Sequence, residues 1–425
     1  MSDATAFDVE VYQNEYLPDG AREVNAVLTV TASGPPVATA GTAAAEVIIV
    51  DCSGSMEYPR AKMAAAIQAT SAAIDALRDG VAFAVVAGTS QARVVYPAGE
   101  TLVVADARTR QQAKAAVRRL KPAGGTAIGQ WLSLAARLFH GHEGALRHAI
   151  LLTDGRNEHE KPEELERVLK ACEGAFVCDC RGVGTAWEVA ELRKIAAALL
   201  GTVDIVADPA GLEADFRAMT DAAMGKAVAD VVLRLWTPQG AKVKFVKQVA
   251  PDVLDLTGKR SDSGPQSGDY PTGSWGSESR DYHVCVEVNP GKVGDVMLAG
   301  RVSLVAGEVL GQGMVKAIWT DDTALSTRIS SEIAHYTGQA ELAGAIQEGM
   351  EARRSGDLDR ATAKLGRAVK LATESGNAGT AALLAKVVDV VDPVTGTVRL
   401  KSRVTEADAM TLDTRSTKTS RVRKG

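Results

Sequence analysis

Between residues 46 and about 225, short β-branched runs alternate with stretches of helical periodicity, and no other feature of the chain restricts its fold as much. Such alternation is the mark of a mostly parallel sheet with helices on both faces. "EVIIVD" (46–51) reads as the first strand, and the helix after it carries Met63, Ile67, Thr70, Ile74 and Leu77 at i, i+3/i+4 spacing, one stripe toward the sheet. Further strands are expected in "VAFAVVAG" (81–88), "HAILLTD" (148–154), "GAFVCDCRGVG" (174–184) and "VDIVAD" (203–208). Helices are expected to begin near Arg108, Ile128, Pro162, Trp187 and Gly211. Pro162 suits a first helical turn, and Glu163 and Glu164 suit its positive end.

Outside this block the pattern is that of antiparallel strands. "FDVEVYQNEYL" and "EVNAVLTVTA" flank "PDG" and read as a hairpin, and "ADVVLRLWTPQGAKVKFVKQV" has the same look around "PQG". Strand character continues to about residue 320. A lone hairpin at residues 7–32 would be marginal, so the economical architecture is a β-sandwich with the α/β unit inserted after its first two strands. The Gly/Ser/Pro-rich segment 257–280 reads as a loop whose Tyr270 and Trp275 either pack back on the sheet or form a docking surface.

After about residue 328 three amphipathic stripes follow: Leu342, Ile346 and Met350; Leu358, Ala361, Leu365, Val369 and Ala372; Leu384, Val387 and Val391. "SGDLDRA" supplies a turn and an Asp N-cap, and the first two helices resemble a tetratricopeptide hairpin, too few repeats for a solenoid. The expected division is a sandwich hairpin (1–40), the α/β domain (41–226), the rest of the sandwich (227–325), a helical region (326–395) and a largely disordered tail (396–425). Thr411, Thr414, Thr417 and Thr419 of that tail are candidate phosphoacceptors.

A chain of 425 residues has room for two to three domains. Its net charge of −5 and 4% aromatic content give no basic, base-stacking face, which argues against nucleic-acid binding. The N-terminus lacks a leader pattern and no stretch is long and apolar enough to span a bilayer, so a cytoplasmic, non-membrane protein is expected. Five cysteines fit free thiols in a reducing compartment. Cys178 and Cys180 share one side of a strand, as small buried hydrophobes or, less expectedly, a soft-metal or redox pair.

The first strand ends in "DCSGSM", which spaces Asp51, Ser53 and Ser55 by two. In open α/β sheets ligands gather at the carboxyl ends of strands, where this turn lies. One carboxylate and two hydroxyls make an all-oxygen set suited to a hard cation such as Mg²⁺. A chain this long shows D-x-S-x-S by chance about one time in ten. Two further features sharpen it: Thr126 follows a Gly-Gly turn at a helix start in "AGGTAIGQW", and Asp154 ends another apolar strand in "ILLTDGRN".

These five residues match the metal-ion-dependent adhesion site of von Willebrand factor A (VWA) domains, and the resemblance extends over about 46–225, including "RGVGTAWEVAELRKIA". It implies a Rossmann-like domain with Mg²⁺ (Mn²⁺ or Ca²⁺ as alternatives) held by Asp51, Ser53, Ser55, Thr126 and Asp154. A position is left open for an Asp or Glu of a protein partner. The whole layout is similar to bacterial cytoplasmic VWA proteins that work beside Ser/Thr kinases and forkhead-associated proteins, which implies a scaffold or adaptor rather than an enzyme.

Two other readings differ in class. A metal-dependent hydrolase would need Glu158 or His159 as general base, and only if their loop folds over the metal. An adaptor of an AAA-type ATPase would need the ATPase on a separate protein, because the sequence contains no G-x-x-x-x-G-K-[ST] motif.

Overall fold

The strand Ala44–Asp51 is buried along its whole length, as expected of a strand covered on both faces. In the computed structural model, which describes residues 5–34 and 43–421, it lies inside a sheet ordered Val203–Val206, Val177–Val183, Leu146–Thr153, Ala44–Asp51, Ala82–Gly88, Ala92–Tyr96. The first five strands are parallel. Ala92–Tyr96 returns antiparallel at the edge, a short strand ahead of Pro97 that is a weak signal in sequence. From the central strand the chain passes to Ala82–Gly88 on one side and later to Leu146–Thr153 on the other. That reversal puts a topological switch point at the carboxyl ends of the two strands that carry Asp51 and precede Asp154.

Helices Ala61–Ala76, Ala107–Val117 and Leu212–Met224 share one core with Ile48, Val50, Val85 and Ile150 of the sheet. Helices Ile128–Phe139, Pro162–Cys172 and Val189–Ala198 neighbour one another in chain order. The Ala61–Ala76 helix buries Met63, Thr70 and Ile74 from the expected stripe, but Ile67 is half-buried and Ala66, Ala69 and Ala73 take the closest positions. Small side chains there let helix and sheet approach. This α/β unit comprises Pro36–Asp230 with Gly273–Gly276; the other unit gathers Met1–Pro35, Val231–Thr272 and Ser277–Gly425.

The flanking sequence forms two further sheets. One is ordered Ala6–Gln13, Glu23–Ser33, Glu278–Glu287, Lys242–Ala250, Leu254–Asp255, and the other Ser261–Gly264, Ser267–Gly276, Lys226–Trp236, Val296–Ala306, Glu308–Thr320, Tyr16–Pro18. They approach closely where a Cβ on Gly313 would stand 2.6 Å from Val11. Both expected hairpins need correction. Ala6–Gln13 does pair with Glu23–Ser33, but Tyr16–Pro18 leaves to join Glu308–Thr320 in the other sheet. The "PQG" segment is no hairpin turn, since Lys242–Ala250 pairs with Glu278–Glu287 while Lys226–Trp236 pairs with Val296–Ala306. It carries the chain from one layer to the other, which lets both strands bury an apolar face. The segment 257–280 is mainly strand, and Tyr270 and Trp275 are fully buried. A docking role for these two aromatics is therefore excluded by their position in the core.

Helices Ser331–Ser355 and Leu358–Glu374 form an antiparallel pair, reversed at Gly356 in the left-handed region (φ 82°) and capped by Asp357, which accepts from the Arg360 N–H at 3.0 Å. Tyr336 packs with Val27, Val249 and Ala250, so the first helix lies on the antiparallel sheet. Leu342, Ile346, Met350, Leu365, Val369, Leu384 and Val387 are buried together, whereas Leu358 is exposed. The third helix stops at Val387, and Val391 lies exposed in a hairpin of Val388–Asp392 with Thr397–Leu400.

The described part of the tail is ordered, contrary to expectation. Helix Glu406–Thr414 inserts Leu412 into the helical core, Asp413 pairs with Arg354 at 2.8 Å, and the Thr419 N–H donates to the Pro251 carbonyl at 2.9 Å. Tertiary contacts supply the order that local apolar periodicity does not. Thr414 is buried, Thr411 Oγ1 donates to the Ala407 carbonyl at 2.6 Å, and Thr419 Oγ1 donates to the Val249 carbonyl at 2.7 Å.

Candidate metal centre

Three loops at the carboxyl end of the parallel sheet converge. The first leaves the central strand at Asp51, whose Oδ1 accepts the Ser53 N–H at 2.7 Å; this local turn directs the chain into the 3₁₀ turn Gly54–Glu57. The second holds the first through the Gly54 N–H to the Gly124 carbonyl (2.9 Å) and the Ala123 N–H to the Cys52 carbonyl (2.7 Å). Gly124 has φ 75°, a turn that favours glycine and leads directly to Thr126 at the start of helix Ile128–Phe139. The third follows strand Leu146–Thr153 with Asp154 and Gly155.

All five expected ligands meet here. Ser53 Oγ and Ser55 Oγ are 2.9 Å apart, and Ser55 donates to Asp154 Oδ1 at 2.7 Å. Thr126 joins them at Gly155: a Cβ built on that glycine would stand 3.0 Å from Ser55 Oγ and 3.4 Å from Thr126 Oγ1. Asp51, Ser53, Thr126 and Asp154 are buried, and Ser55 is exposed, so the cluster opens to solvent on one side. Burial pushes the Asp51 carboxyl up to about 6; hydrogen bonds from Ser53 and Thr153 oppose the rise, and the Asp154 charge adds to it. Among the described residues no three His, Cys, Asp or Glu side chains cluster as a metal site. The donor set is two carboxylates and three hydroxyls, all oxygen, which fits a hard divalent cation better than zinc or copper.

Several residues that shape the site carry no obvious signal in sequence. Thr153 donates its hydroxyl to Asp51 Oδ2 at 2.6 Å, fixing the oxygen that the Ser53 N–H leaves free. Lys62 places Nζ 2.6 Å from Asp154 Oδ2. Asn157 Oδ1 accepts from the Ile128 N–H and Glu160 Oε2 from the Gly129 N–H, each at 2.8 Å, so the third loop caps the helix behind Thr126. Spacing in "DGRNEHE" resembles no helix cap, because the helix it caps lies some thirty residues earlier.

Of the two candidate general bases, His159 packs against the Thr126 loop: its Nδ1 accepts the Thr126 N–H at 3.2 Å and its backbone N–H donates to the Thr126 carbonyl at 3.0 Å, whereas Glu158 is exposed. Cys178 and Cys180 are completely buried, and the hydrogen bond between them, followed by burial, raises the Cys178 thiol well above its ordinary value. Among the described residues no helix is long and apolar enough to cross a membrane.

Fold and site together define a class: an α/β domain with a strand-end oxygen cluster, carried within a β-sandwich that ends in helices. Residues 45–205 match the model of the von Willebrand factor type A domain, and residues 370–416 that of the von Willebrand factor type A C-terminal domain. A von Willebrand factor type A structure from Catenulispora acidiphila is 56% identical, covers 99% of this chain and 98% of its own, and superposes with a TM-score of 0.95. The chain belongs to the von Willebrand factor type A family. The ArnB paralog VWA2 from Sulfolobus acidocaldarius shares the fold at 13% identity, with a TM-score of 0.63 over 97% of this chain and 98% of that one. An uncharacterized protein of Synechocystis sp. is 31% identical over 219 residues, and the chain spans about half the length of this curated relative.

Proposed function

We propose that Asp51, Ser53, Ser55, Thr126 and Asp154 hold a divalent cation, Mg²⁺ with Mn²⁺ or Ca²⁺ as substitutes, and that the protein is a non-enzymatic scaffold. The observation that carries this reading is the convergence of five oxygen-bearing side chains from three strand-end loops, four of them buried, with the fifth at the solvent side. The family is known for metal-dependent protein interactions. When bound, the ion supplies a Lewis-acid position for one carboxylate oxygen of a partner Asp or Glu. The chain's own part is to hold the hydroxyls in place: Thr153 and the Ser53 N–H orient Asp51, and the capping of helix Ile128–Phe139 by Asn157 and Glu160 fixes the loop of Thr126.

Calorimetric titration with Mn²⁺ of the wild type and Asp51→Ala tests the site, and capture of partners from lysate with Mg²⁺ or EDTA tests its use. Binding by the wild type alone, with partners lost in EDTA and in the variant, is the expected outcome. Identical partners in all conditions would count against the metal bridge.

A further inference from the structure

Asp154 is fully buried, and both of its oxygens are engaged: Oδ1 accepts the Ser55 hydroxyl at 2.7 Å and Oδ2 takes Lys62 Nζ at 2.6 Å. The ammonium comes from the second residue of helix Ala61–Ala76, and its side chain is only 14% exposed. Lys62 Cε passes 3.8 Å from where a Cβ on Gly184 would sit, so the stem runs along the loop after strand Val177–Val183. A compact positive charge is thereby delivered into the oxygen cluster by the chain itself.

We infer that Lys62 is a tethered competitor for the metal site: its ammonium neutralises Asp154 in the metal-free protein and must withdraw when a divalent cation takes the same carboxylate. This rests on the metal-site reading above. The argument is one of charge and donors. A buried carboxylate needs a counter-charge, and Asp51, the other carboxylate of the cluster, adds another negative charge. The ammonium supplies that charge without demanding octahedral geometry, and it is carried on a flexible four-carbon stem. Two cations on one carboxylate repel, so loading of one weakens the hold on the other. Lys62 therefore sets the metal concentration at which the site loads, and it keeps the empty loops assembled below that concentration.

The test uses the full chain and Mn²⁺, in two measurements. Lys62→Met is expected to bind Mn²⁺ at least tenfold more tightly than wild type by calorimetry, and to lower the Tm of the metal-free protein more than that of the Mn²⁺-loaded protein. In the unaltered wild type, peptide mass spectrometry after brief treatment with an amine-acylating reagent is expected to show Lys62 modified several-fold faster when Mn²⁺ is present. The second measurement decides the matter even if the variant folds poorly. Wild type that binds Mn²⁺ with Lys62 reactivity unchanged, or a folded Lys62→Met with equal or weaker affinity, overturns the competitor role and leaves the site standing. No Mn²⁺ binding by wild type or Lys62→Met overturns the site reading itself.

Discussion

His148 Nδ1 lies 2.9 Å from both carboxylate oxygens of Glu46, across adjacent strands in the interior of the parallel sheet. Its Nε2 reaches Asp179 Oδ2 on the next strand at 3.1 Å, and Asp179 Oδ1 in turn accepts from the Thr202 N–H and hydroxyl. Burial opposes a charge on His148, but the two carboxylates outweigh it and hold the imidazolium up to about 10. Asp179 is held well below the ordinary carboxylate range: burial works against this, and His148 and Arg181 overcome it. This ion cluster ties three strands together near the end of the sheet opposite the candidate metal site.

The sign of its pH dependence follows. The His148 pKa rises from 6.5 to about 10 on folding, so its contribution is fully present below pH 6.5 and is lost as pH climbs toward 10. Thermal unfolding between pH 6 and 10 is expected to show Tm falling across that window. His148→Gln is expected to flatten the slope and to cost about 3 kcal/mol at pH 7, because it strands the buried Glu46 carboxylate and removes one partner of Asp179.

Thr153→Val keeps the shape of a fully buried strand end but removes the donor to Asp51 Oδ2. Outer partners of metal ligands are worth about 10–100-fold in affinity. Mn²⁺ titration is expected to show a loss in that range with an unchanged circular dichroism spectrum.

At Gly155 even one methyl group meets Ser55 Oγ at 3.0 Å and Thr126 Oγ1 at 3.4 Å. Gly155→Ala is expected to push the two hydroxyls aside and weaken Mn²⁺ binding about tenfold or more, on the same scale as loss of an orienting partner. An affinity equal to wild type would show that the hydroxyls do not face the ion.

Leu412 is a fully buried apolar side chain of the tail that enters the helical core. Leu412→Ala is expected to cost about 2–4 kcal/mol in urea denaturation followed by a probe in the C-terminal helices. Proteolysis would then cut first in the stretch following Leu400.

The site was readable from sequence because its ligands sit at strand ends, where burial makes an Asp or Thr conspicuous against apolar neighbours. Asp51 and Asp154 each close a buried run, and Thr126 follows a glycine turn. Their supports were not readable, since Thr153, Lys62, Asn157 and Glu160 act across distances in sequence that no periodicity spans. The same limit hid the tail: its order depends on Arg354, Pro251 and the helical core rather than on any pattern within residues 396–421. The turn at "PQG" misled for a related reason. A two-layer sandwich uses one turn chemistry both for pairing neighbours and for changing layers, and only the partner strands distinguish them.

Strand Glu23–Ser33 finds its second neighbour in Glu278–Glu287, with Leu28 opposite Tyr282. During synthesis from the N-terminus, that early strand must wait while more than two hundred further residues emerge, whereas Ala44–Asp51 finds its parallel neighbour within forty. Long-range pairing is slow and leaves strand edges exposed meanwhile. The α/β unit is therefore set to assemble first, with the candidate metal loops formed on a nascent chain whose sandwich strands still await their partners.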